Sequence, residues 1–407
     1  MRSTPLRVLI VGGGIGGLCL AQGLRRQNVD VTVYERDRAP DARLQGYRIN
    51  IEAAGSAALA ECLPTNLWRE LTDTAGDPGP GMGVYDERLR LMVRIGPETH
   101  DAVAAGEHAV SRVALRQLLL TDLDDMIRFD KEFIGYEQHR GGTVTARFAD
   151  GSSATADLLV GADGARSRVR RQLLPNAGEQ PITAIGVGGK LPLTPRTEAW
   201  LPTPITTRKN MFLPRQDFLF TSAFRSRRPS DTDADYVMWA YVADRNALPA
   251  ATAALTGKPL RDLVAARMTD WHPDLRRMVM ESAPESTQQF AFAASAPVTP
   301  WPTGNVTLLG DAIHHMPPVG GLGGNAALHD ARLLCHALTE ISEDRTQLRP
   351  ALASYEKQML QHGFAAVAES MRNLKVATQR REARTAVRGF FRLCGAMPPL
   401  RRAVFGE

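Results

Sequence analysis

The chain has 407 residues, of which 43% are hydrophobic and 23% are charged. These proportions are typical of folded globular proteins and exclude a largely disordered chain, and the length suggests two or three domains. No apolar run approaches the roughly 18 residues needed to cross a bilayer, which excludes a membrane-spanning protein. The net charge of +5 is small, so nucleic acid is not expected as a partner.

The four cysteines, Cys19, Cys62, Cys335 and Cys394, lie far apart and none forms a CxxC pair. This spacing argues against a zinc site and against a secreted disulfide scaffold. The apolar run at residues 6–11 is too short for a signal peptide and breaks at glycines. We therefore expect a cytoplasmic protein without a metal.

The first predicted element is a buried strand at residues 6–11, LRVLIV, which ends in a glycine turn. Gly12, Gly14 and Gly17 form the pattern GxGxxG, and apolar residues at helical spacing follow. The first glycine permits a tight turn, the second lets the backbone approach a pyrophosphate, and the third lets the helix pack on the strand. The helix N-terminus then offers free N–H groups to a diphosphate. The alternative interpretation is a glycine-rich turn without a ligand.

A second strand at residues 29–34 is followed by Glu35, an acid at the position where dinucleotide sites bind ribose. Such an acid accepts hydrogen bonds from the ribose hydroxyls and repels the extra phosphate of NADP, which points to FAD or NAD. The candidate cofactor-binding residues of this region are Gly12, Gly14, Ile15, Gly16, Gly17, Glu35 and Arg36.

Two later segments repeat the order of strand, turn and helix. Residues 157–170 place an Asp163-Gly164 turn after a buried strand, and residues 306–330 place Gly310-Asp311 after another. A carboxylate at the carboxyl end of a parallel strand lies where open α/β sheets bind ligands. Asp311 suits a polyol such as the ribityl chain of a flavin, which NAD lacks. Taken singly, either turn has a plain alternative as a connection after a core strand.

The loop at residues 317–324 is rich in glycine, so we expect its backbone to approach a ligand. Amides near Gly324 and Asn325 are predicted to open the next helix, whose positive end would face negative charge on a ligand.

The three motifs together resemble a known family. GxGxxG with Glu35-Arg36, the GADG segment, and the segment GDAIH…PPxxGxGxN are similar to the fingerprints of the single-component FAD-dependent aromatic hydroxylases, of the para-hydroxybenzoate hydroxylase type. The resemblance implies an α/β fold with a Rossmann-like FAD-binding domain, an inserted antiparallel β-sheet substrate domain and C-terminal helices. Larger members of this family add a thioredoxin-like C-terminal domain, for which we expect this chain to be too short.

The resemblance further implies positions around the cofactor. Arg112 would reach the FAD phosphates, with a solvated arginine at a helix start as the alternative, and Arg43 would lie near the flavin. Asp163 and Gly164 would lie near the pyrophosphate and the path of the nicotinamide. The remaining implied cofactor-binding residues are Gly310, Asp311, Pro318, Gly321, Gly323, Gly324 and Asn325.

The activity implied by the resemblance is monooxygenation. NADPH or NADH would bind transiently and reduce FAD, O2 would form a C4a-hydroperoxide, and one oxygen atom would enter an aromatic or polycyclic small molecule. Baeyer–Villiger oxygenation by the same peroxide, a flavin-dependent reductase of a lipid-like substrate, and a non-catalytic nucleotide-binding regulator remain as alternatives. A monomer or homodimer without membrane association is expected.

The predicted FAD-binding domain comprises residues 1–75, 100–180 and 285–375, and the substrate domain comprises 76–99 and 181–284. Strands at 218–224 and 236–242 belong to the latter and are rich in aromatic residues. Alternation places Phe220 with Phe224 on one face, and it separates Met238 from Trp239. Which face lines a pocket is left open, and core packing is the alternative for each aromatic side chain. The candidate substrate-binding residues are Phe220, Phe224, Met238 and Pro318.

The C-terminal segment 376–407 is predicted to be helical, and its arginines mix with apolar residues. A solvated helix packed on the domain is expected over a helix on an anionic membrane. His314 and His315 follow Asp311 closely, but no further ligands appear at metal-binding spacing, so we expect His314 to make a structural hydrogen bond.

Overall fold

The computed structural model describes residues 6–40, 47–76, 79–96, 106–226, 234–342, 347–378 and 381–406. The chain divides into two compact units. The first unit comprises Met1–Asp73, Val110–Pro181 and Ala293–Met371, and the second comprises Thr74–Ala109, Ile182–Phe292 and Arg372–Glu407. Residues 376–407, which we predicted as a separate segment, therefore group with the second unit.

The strands are short and are distributed over both units. In chain order they are β1 (Arg7–Val11), β2 (Asp30–Tyr34), β3 (Arg48–Ile51), β4 (Met82–Tyr85), β5 (Leu91–Ile95), β6 (His108–Ser111), β7 (Ile127–Arg128), β8 (Phe133–Gln138), β9 (Val144–Phe148), β10 (Ser153–Ala156), β11 (Leu158–Gly161), β12 (Glu179–Gln180), β13 (Ala184–Pro192), β14 (Lys209–Phe212), β15 (Phe218–Phe224), β16 (Tyr236–Asp244), β17 (Gln288–Ala291), β18 (Ala294–Ser295) and β19 (Val306–Leu308).

The two longest of the described helices lie in the last quarter of the chain. In chain order the helices are α1 (Ile15–Arg26), α2 (Ala53–Cys62), α3 (Thr65–Thr74), α4 (Arg112–Leu120), α5 (Arg168–Leu173), α6 (Pro195–Glu198), α7 (Thr203–Thr207), α8 (Gly257–Arg267), α9 (Pro273–Glu281), α10 (Asp311–His314), α11 (Leu322–Ser342), α12 (Leu348–Thr378), α13 (Arg381–Ala396) and α14 (Pro398–Phe405).

The first unit is built on a parallel sheet with the strand order β19-β11-β1-β2-β7. β1 and β11 read as unbroken apolar runs because a central parallel strand is covered on both faces. In a parallel sheet all strands end at the same edge. The order therefore places the carboxyl ends of β1, β11 and β19 side by side, and each is followed by one of the three turns identified in the sequence.

The second unit contains a mixed sheet with the strand order β17-β13-β16-β15-β14-β4-β5. Its central strands are antiparallel, as predicted, but β14 pairs with β4 in parallel. The parallel pair is possible because β4 comes from a remote part of the chain and not from a hairpin with β14. The expected α/β fold with a Rossmann-like unit, a second sheet and C-terminal helices is confirmed.

One face of this second sheet packs on helices of the same unit. Trp239 and Tyr241 of β16 are 0% and 1% exposed and share a core cluster with Leu260 of α8 and Met278 of α9. The indole Nε1 of Trp239 donates a hydrogen bond to Ser282 Oγ at 2.7 Å. The sequence pattern did not show which face of this sheet is buried. The structure shows that the face carrying Trp239 and Tyr241 packs in the core.

The C-terminal arginines are less solvated than predicted. Arg384 is 2% exposed and donates to the backbone carbonyls of Pro214 and Asp217, and Arg388 donates to Glu87 at 2.8 Å. The prediction of a solvated stripe is wrong for these two residues because carbonyls and a carboxylate satisfy their buried guanidinium groups. Arg392 remains 52% exposed.

Candidate functional site

The glycine turn after β1 has the geometry that its sequence predicts. Gly12 adopts φ +111°, and a Cβ there would lie 2.3 Å from the carbonyl oxygen of Ala162. A Cβ on Gly17 would lie 2.2 Å from the carbonyl oxygen of Gly12. The backbone therefore requires glycine at both positions, and α1 can begin directly after the turn with Ile15 and Gly16 in its first turn.

Gly14 differs from these two glycines. It is the N-cap of α1 at φ −80°, no side chain caps the helix, and no described atom lies within 4 Å of a Cβ built there. Packing within the described chain therefore does not require glycine at this position. The open space and the uncapped N–H groups fit a ligand with negative charge.

Glu35 is buried and already has two backbone partners. Its Oε2 accepts the N–H of Gly13 at 2.6 Å, and its Oε1 accepts the N–H of Asp37 at 2.9 Å. Each carboxylate oxygen has a second lone pair, so ribose hydroxyls still have acceptors there. Arg36, predicted as a neighbour of the cofactor, is exposed. Gly13 was missed in the sequence because the GxGxxG pattern leaves it unspecified.

Helix α4 begins at Arg112, with Ser111 as its cap. One turn later, Arg116 donates through Nε to the carbonyl of Gly13 at 3.2 Å, and its Nη2 lies 3.8 Å from Asp37 Oδ2. This hydrogen bond from Arg116 therefore stabilises the backbone of the glycine turn. The sequence signal for it was its spacing of four residues from Arg112, which places both on one helix face. Arg43 lies outside the described residues.

The turn after β11 carries a half-satisfied carboxylate. Oδ2 of Asp163 accepts the N–H groups of Arg168 and Val169 at 2.7 and 3.2 Å and so caps α5. Its Oδ1 is buried and has no hydrogen-bond partner in the described part of the chain. Gly164 adopts φ +77° with open space around its Cα. A buried oxygen without a donor is the kind of atom that a ligand hydroxyl or an ordered water satisfies.

Arg170 links this turn to the next one, and the sequence analysis did not single it out. It is 8% exposed and donates to the carbonyls of Ala312 and Ala165 at 3.0 and 2.9 Å. The tertiary contact with Ala312 decides its role.

The turn after β19 has a conformation that favours glycine. Gly310 has φ 62° and ψ −138°, and a Cβ there would lie 2.9 Å from the Cβ of Ala327. Asp311 follows as the first residue of α10, with a side chain that is 46% exposed. Its Oδ2 lies 3.6 Å from Nδ1 of His315. Desolvation raises the pKa of Asp311, but His315, His314 and Arg112 outweigh it, so the net shift is downward and the group is an anion at neutral pH.

The glycine-rich loop ends earlier than predicted, because α11 begins at Leu322 and not near Gly324. Gly323 and Gly324 therefore lie in its first turn. A Cβ on either would make only ordinary contacts, at 3.6 Å from Met316 and 3.5 Å from Ile49, so packing alone does not demand glycine. Pro318 and Gly321 are exposed, and Gly321 has φ +73°.

The side chain of Asn325 makes hydrogen bonds within the protein. Its Oδ1 accepts the N–H of Glu52 at 2.9 Å, and its Nδ2 donates to the carbonyls of Asn50 and Gly321 at 3.0 and 3.1 Å. The side chain thus joins the loop to the end of β3, and its amide oxygen and nitrogen both have protein partners.

His314 makes a structural hydrogen bond, as expected. Its Nε2 lies 2.7 Å from Oδ2 of Asp330, and both side chains are fully buried. Within the described residues, no group of three or more His, Cys, Asp or Glu side chains is arranged to hold a metal ion.

The second unit presents an aromatic face opposite its helix-packed core. Register pairs Phe224 with Tyr236, and Ser222 with Met238, so these residues share the face that carries Phe220. Phe220 and Met238 are partly exposed, whereas Phe224 and Tyr236 are 4% and 7% exposed.

Three residues of this face were not predicted. Met211 pairs directly with Phe220. The ring of Phe290 covers Gly186, where a Cβ would lie 2.0 Å from Cε2 of that ring. Lys190 places its Nζ 4.6 Å from the ring centroid of Tyr236. Alternation along β13, β14 and β17 would have revealed these three residues if the sequence had shown how the strands pair.

Comparison with known proteins gives matches over most of the chain. Residues 114–370 match the family model "FAD binding domain", and residues 10–69 match "NAD(P)-binding Rossmann-like domain". A protein of Arthroderma benhamiae assigned as an FAD-dependent monooxygenase is 30% identical over 405 residues, covering 90% of this chain and 91% of that protein.

A crystal structure of a protein from Photorhabdus luminescens, assigned as an FAD-containing monooxygenase, superposes with a TM-score of 0.84. It is 35% identical and the match covers 91% of this chain and 98% of that one. The dual O-methyltransferase/FAD-dependent monooxygenase elcB of Phaeosphaeria nodorum is 29% identical over 90% of this chain but only 45% of its own length. The chain thus spans about half the length of this relative. Among the helices described, none is long and apolar enough to cross a membrane.

Proposed function

Because the chain belongs to the FAD-dependent monooxygenase family, we propose that it inserts one oxygen atom from O2 into an aromatic small molecule, with NADH or NADPH as electron donor. FAD supplies the activation of oxygen. The residues of the chain bind and orient the reactants and exclude water.

One observation carries the proposal. The three turns that carry the sequence motifs follow β1, β11 and β19, which lie side by side in one parallel sheet. Such an edge is where open α/β sheets bind ligands. The open space at Gly14, the unsatisfied Oδ1 of Asp163 and the anionic Asp311 fit a long ligand with a diphosphate and several hydroxyls.

Each part of FAD has a proposed partner in the first unit. The uncapped N-terminus of α1 would hold the diphosphate, together with Arg112. Glu35 would accept hydrogen bonds from the adenosine ribose, and Asp311 from the ribityl chain. The first turn of α11, with Gly323 and Gly324, would place positive N–H groups near the flavin ring and stabilise its reduced anion.

The aromatic face of the second unit supports an aromatic substrate. Phe220, Met238, Met211 and Phe290 offer apolar and sulfur contacts to a flat ring. Lys190 brings a positive charge to this face, because its Nζ lies over the ring of Tyr236. We therefore propose a substrate with an anionic or phenolic oxygen, and assign Lys190 to its orientation.

The test has two stages. Purified protein should be yellow and release FAD on denaturation, and a protein that binds no FAD would refute the proposal. NADH or NADPH oxidation should then be stimulated by a phenolic or polycyclic compound, with one atom from labelled O2 in the product. Oxygen inserted next to a ketone would identify Baeyer–Villiger chemistry, and turnover without oxygen would identify a reductase.

A further inference from the structure

Asp330 of α11 is a buried carboxylate at the back of the turn that carries Asp311. Its side chain is 0% exposed. Oδ2 accepts the N–H of Gly310 at 2.8 Å and lies 2.7 Å from Nε2 of His314. Oδ1 lies 2.8 Å from Nε2 of His362, a residue of α12 whose side chain is 25% exposed. One carboxylate therefore connects the turn, α10 and α12.

The contact between Asp330 and His314 favours the charged form of both side chains. Burial alone lowers the pKa of His314 and raises that of Asp330, because it disfavours both charged forms. The attraction between the two groups reverses both effects, so the pKa of His314 is raised and that of Asp330 is lowered. A buried carboxylate without such partners would be strongly unfavourable.

The surrounding backbone fixes the pair. The ring of His314 packs on Gly363 of α12, where a Cβ would lie 2.2 Å from the ring atom Cδ2. Gly310 holds a conformation, φ 62° and ψ −138°, that is open to glycine because glycine has no Cβ. Since glycine can adopt many other conformations, the hydrogen bond from its N–H to Asp330 helps to select this one. The next residue in the chain is Asp311, so the orientation of this peptide sets the direction of the Asp311 side chain.

We propose that Asp330 is a positioning residue for cofactor binding: hydrogen-bonded to His314 and to the N–H of Gly310, it fixes the Gly310–Asp311 turn so that Asp311 meets the ribityl chain of FAD. This rests on the proposed function, because it takes Asp311 as a ligand of FAD. Asp330 itself, being buried behind the turn, acts through Asp311.

The experiment measures binding of FAD to apoprotein by quenching of flavin fluorescence. Asp330→Ala removes the acceptor for Gly310 and the partner of His314, and we expect the dissociation constant to rise about tenfold or more. Asp330→Asn keeps an acceptor of the same shape and loses the charge, so it should lie between wild type and Asp330→Ala. It also provides a reading if the alanine variant does not fold.

The matched control is Glu356→Gln. Glu356 is a buried carboxylate of the same unit, 5% exposed, bonded to Thr303 and Thr307 and not to the turn. This variant should lower the melting temperature and leave FAD affinity within about twofold of wild type.

A double-mutant cycle separates positioning from a general structural role. Because Asp330 acts through Asp311, adding Asp330→Ala to Asp311→Ala should weaken FAD binding by less than about twofold further. Additive losses, or Asp330 variants that bind FAD as wild type does, would overturn the positioning role while leaving the proposed function intact. Wild-type apoprotein that binds no FAD would instead overturn the proposed function.

Discussion

The functional candidates lie at different places in the two sheets of this protein. In the first unit, the functional candidates follow the ends of parallel strands, and each belongs to a short continuous motif. In the second unit, the candidates are spread over strands β13 to β17 and share only a face of the sheet. Local sequence motifs therefore locate the candidates of the first unit well and those of the second unit poorly.

The largest effect is expected for Gly12→Ala, which tests whether the glycine turn is required by the protein itself. The new Cβ would meet the carbonyl of Ala162 at 2.3 Å in a conformation that alanine disfavours, so we expect a loss of several-fold in soluble yield and of FAD binding. Gly14→Ala is the matched control. It should unfold at the wild-type temperature and still bind FAD more weakly, as measured by thermal melting and fluorescence titration. Equal melting losses in both variants would contradict this assignment.

The next largest effect is the difference in stability between variants of two adjacent residues of β16, Trp239 and Met238. Trp239→Ala should cost about 3–5 kcal/mol of unfolding free energy, because it empties the core and leaves Ser282 without its donor. Met238→Ala lies on the opposite face and should cost about 1 kcal/mol or less. Urea unfolding followed by circular dichroism measures both. A larger loss for Met238 than for Trp239 would reverse our assignment of the two faces.

The buried pair of His314 and Asp330 predicts a pH dependence of stability. The pKa of His314 is raised, so its contribution is present below about pH 6.5 and is lost as the pH rises through its folded value. The pKa of Asp330 is lowered, so its contribution is present above about pH 3.8 and is lost as the pH falls through its folded value.

Other charged or titratable groups near the pair include Asp311, His329, Tyr355 and His362. The His314→Gln variant removes the imidazole alone. Melting temperature measured from pH 6 to pH 9 should therefore fall less steeply in His314→Gln than in wild type. Parallel curves would show that His314 is not the group that titrates.

The smallest effect is expected at Lys190. Lys190→Met keeps the length of the side chain and removes its charge, so we expect KM for a phenolate or carboxylate substrate to rise about tenfold with FAD content unchanged. KM for a neutral analogue serves as the control and should change by less than about twofold. An equal rise in KM for both substrates would show that Lys190 stabilises the sheet and does not recognise the charge of the substrate.

Much of the first unit could be predicted because its signals are local. The strand-turn-helix order around Gly12, Asp163 and Gly310 is present in the structure, and so is an acid at Glu35. The missed residues are those whose contacts are distant in sequence. Arg116 reaches Gly13, Arg170 reaches Ala312, and their partners lie 103 and 142 residues away.

Two expectations changed once the fold was known. Helix α11 begins at Leu322, so Asn325 is inside its first turn and bonds to β3. Arg384 is buried and not solvated, because backbone carbonyls from the same unit surround its guanidinium group. Composition does not determine the residue at which a helix begins, because that depends on its hydrogen bonds in the fold. It also does not determine whether an arginine is buried, because that depends on which acceptors the fold brings close.

The sequence by itself determined the family, the α/β architecture of the first unit and the three glycine turns, because each is encoded in residues that are adjacent along the chain. Only the tertiary structure decided which face of the second sheet is buried, which carboxylates are already engaged, and that Asp330 stands behind the Asp311 turn. Those properties arise from pairing between distant segments, where strand register and burial set both the direction of a side chain and the stability of its charge.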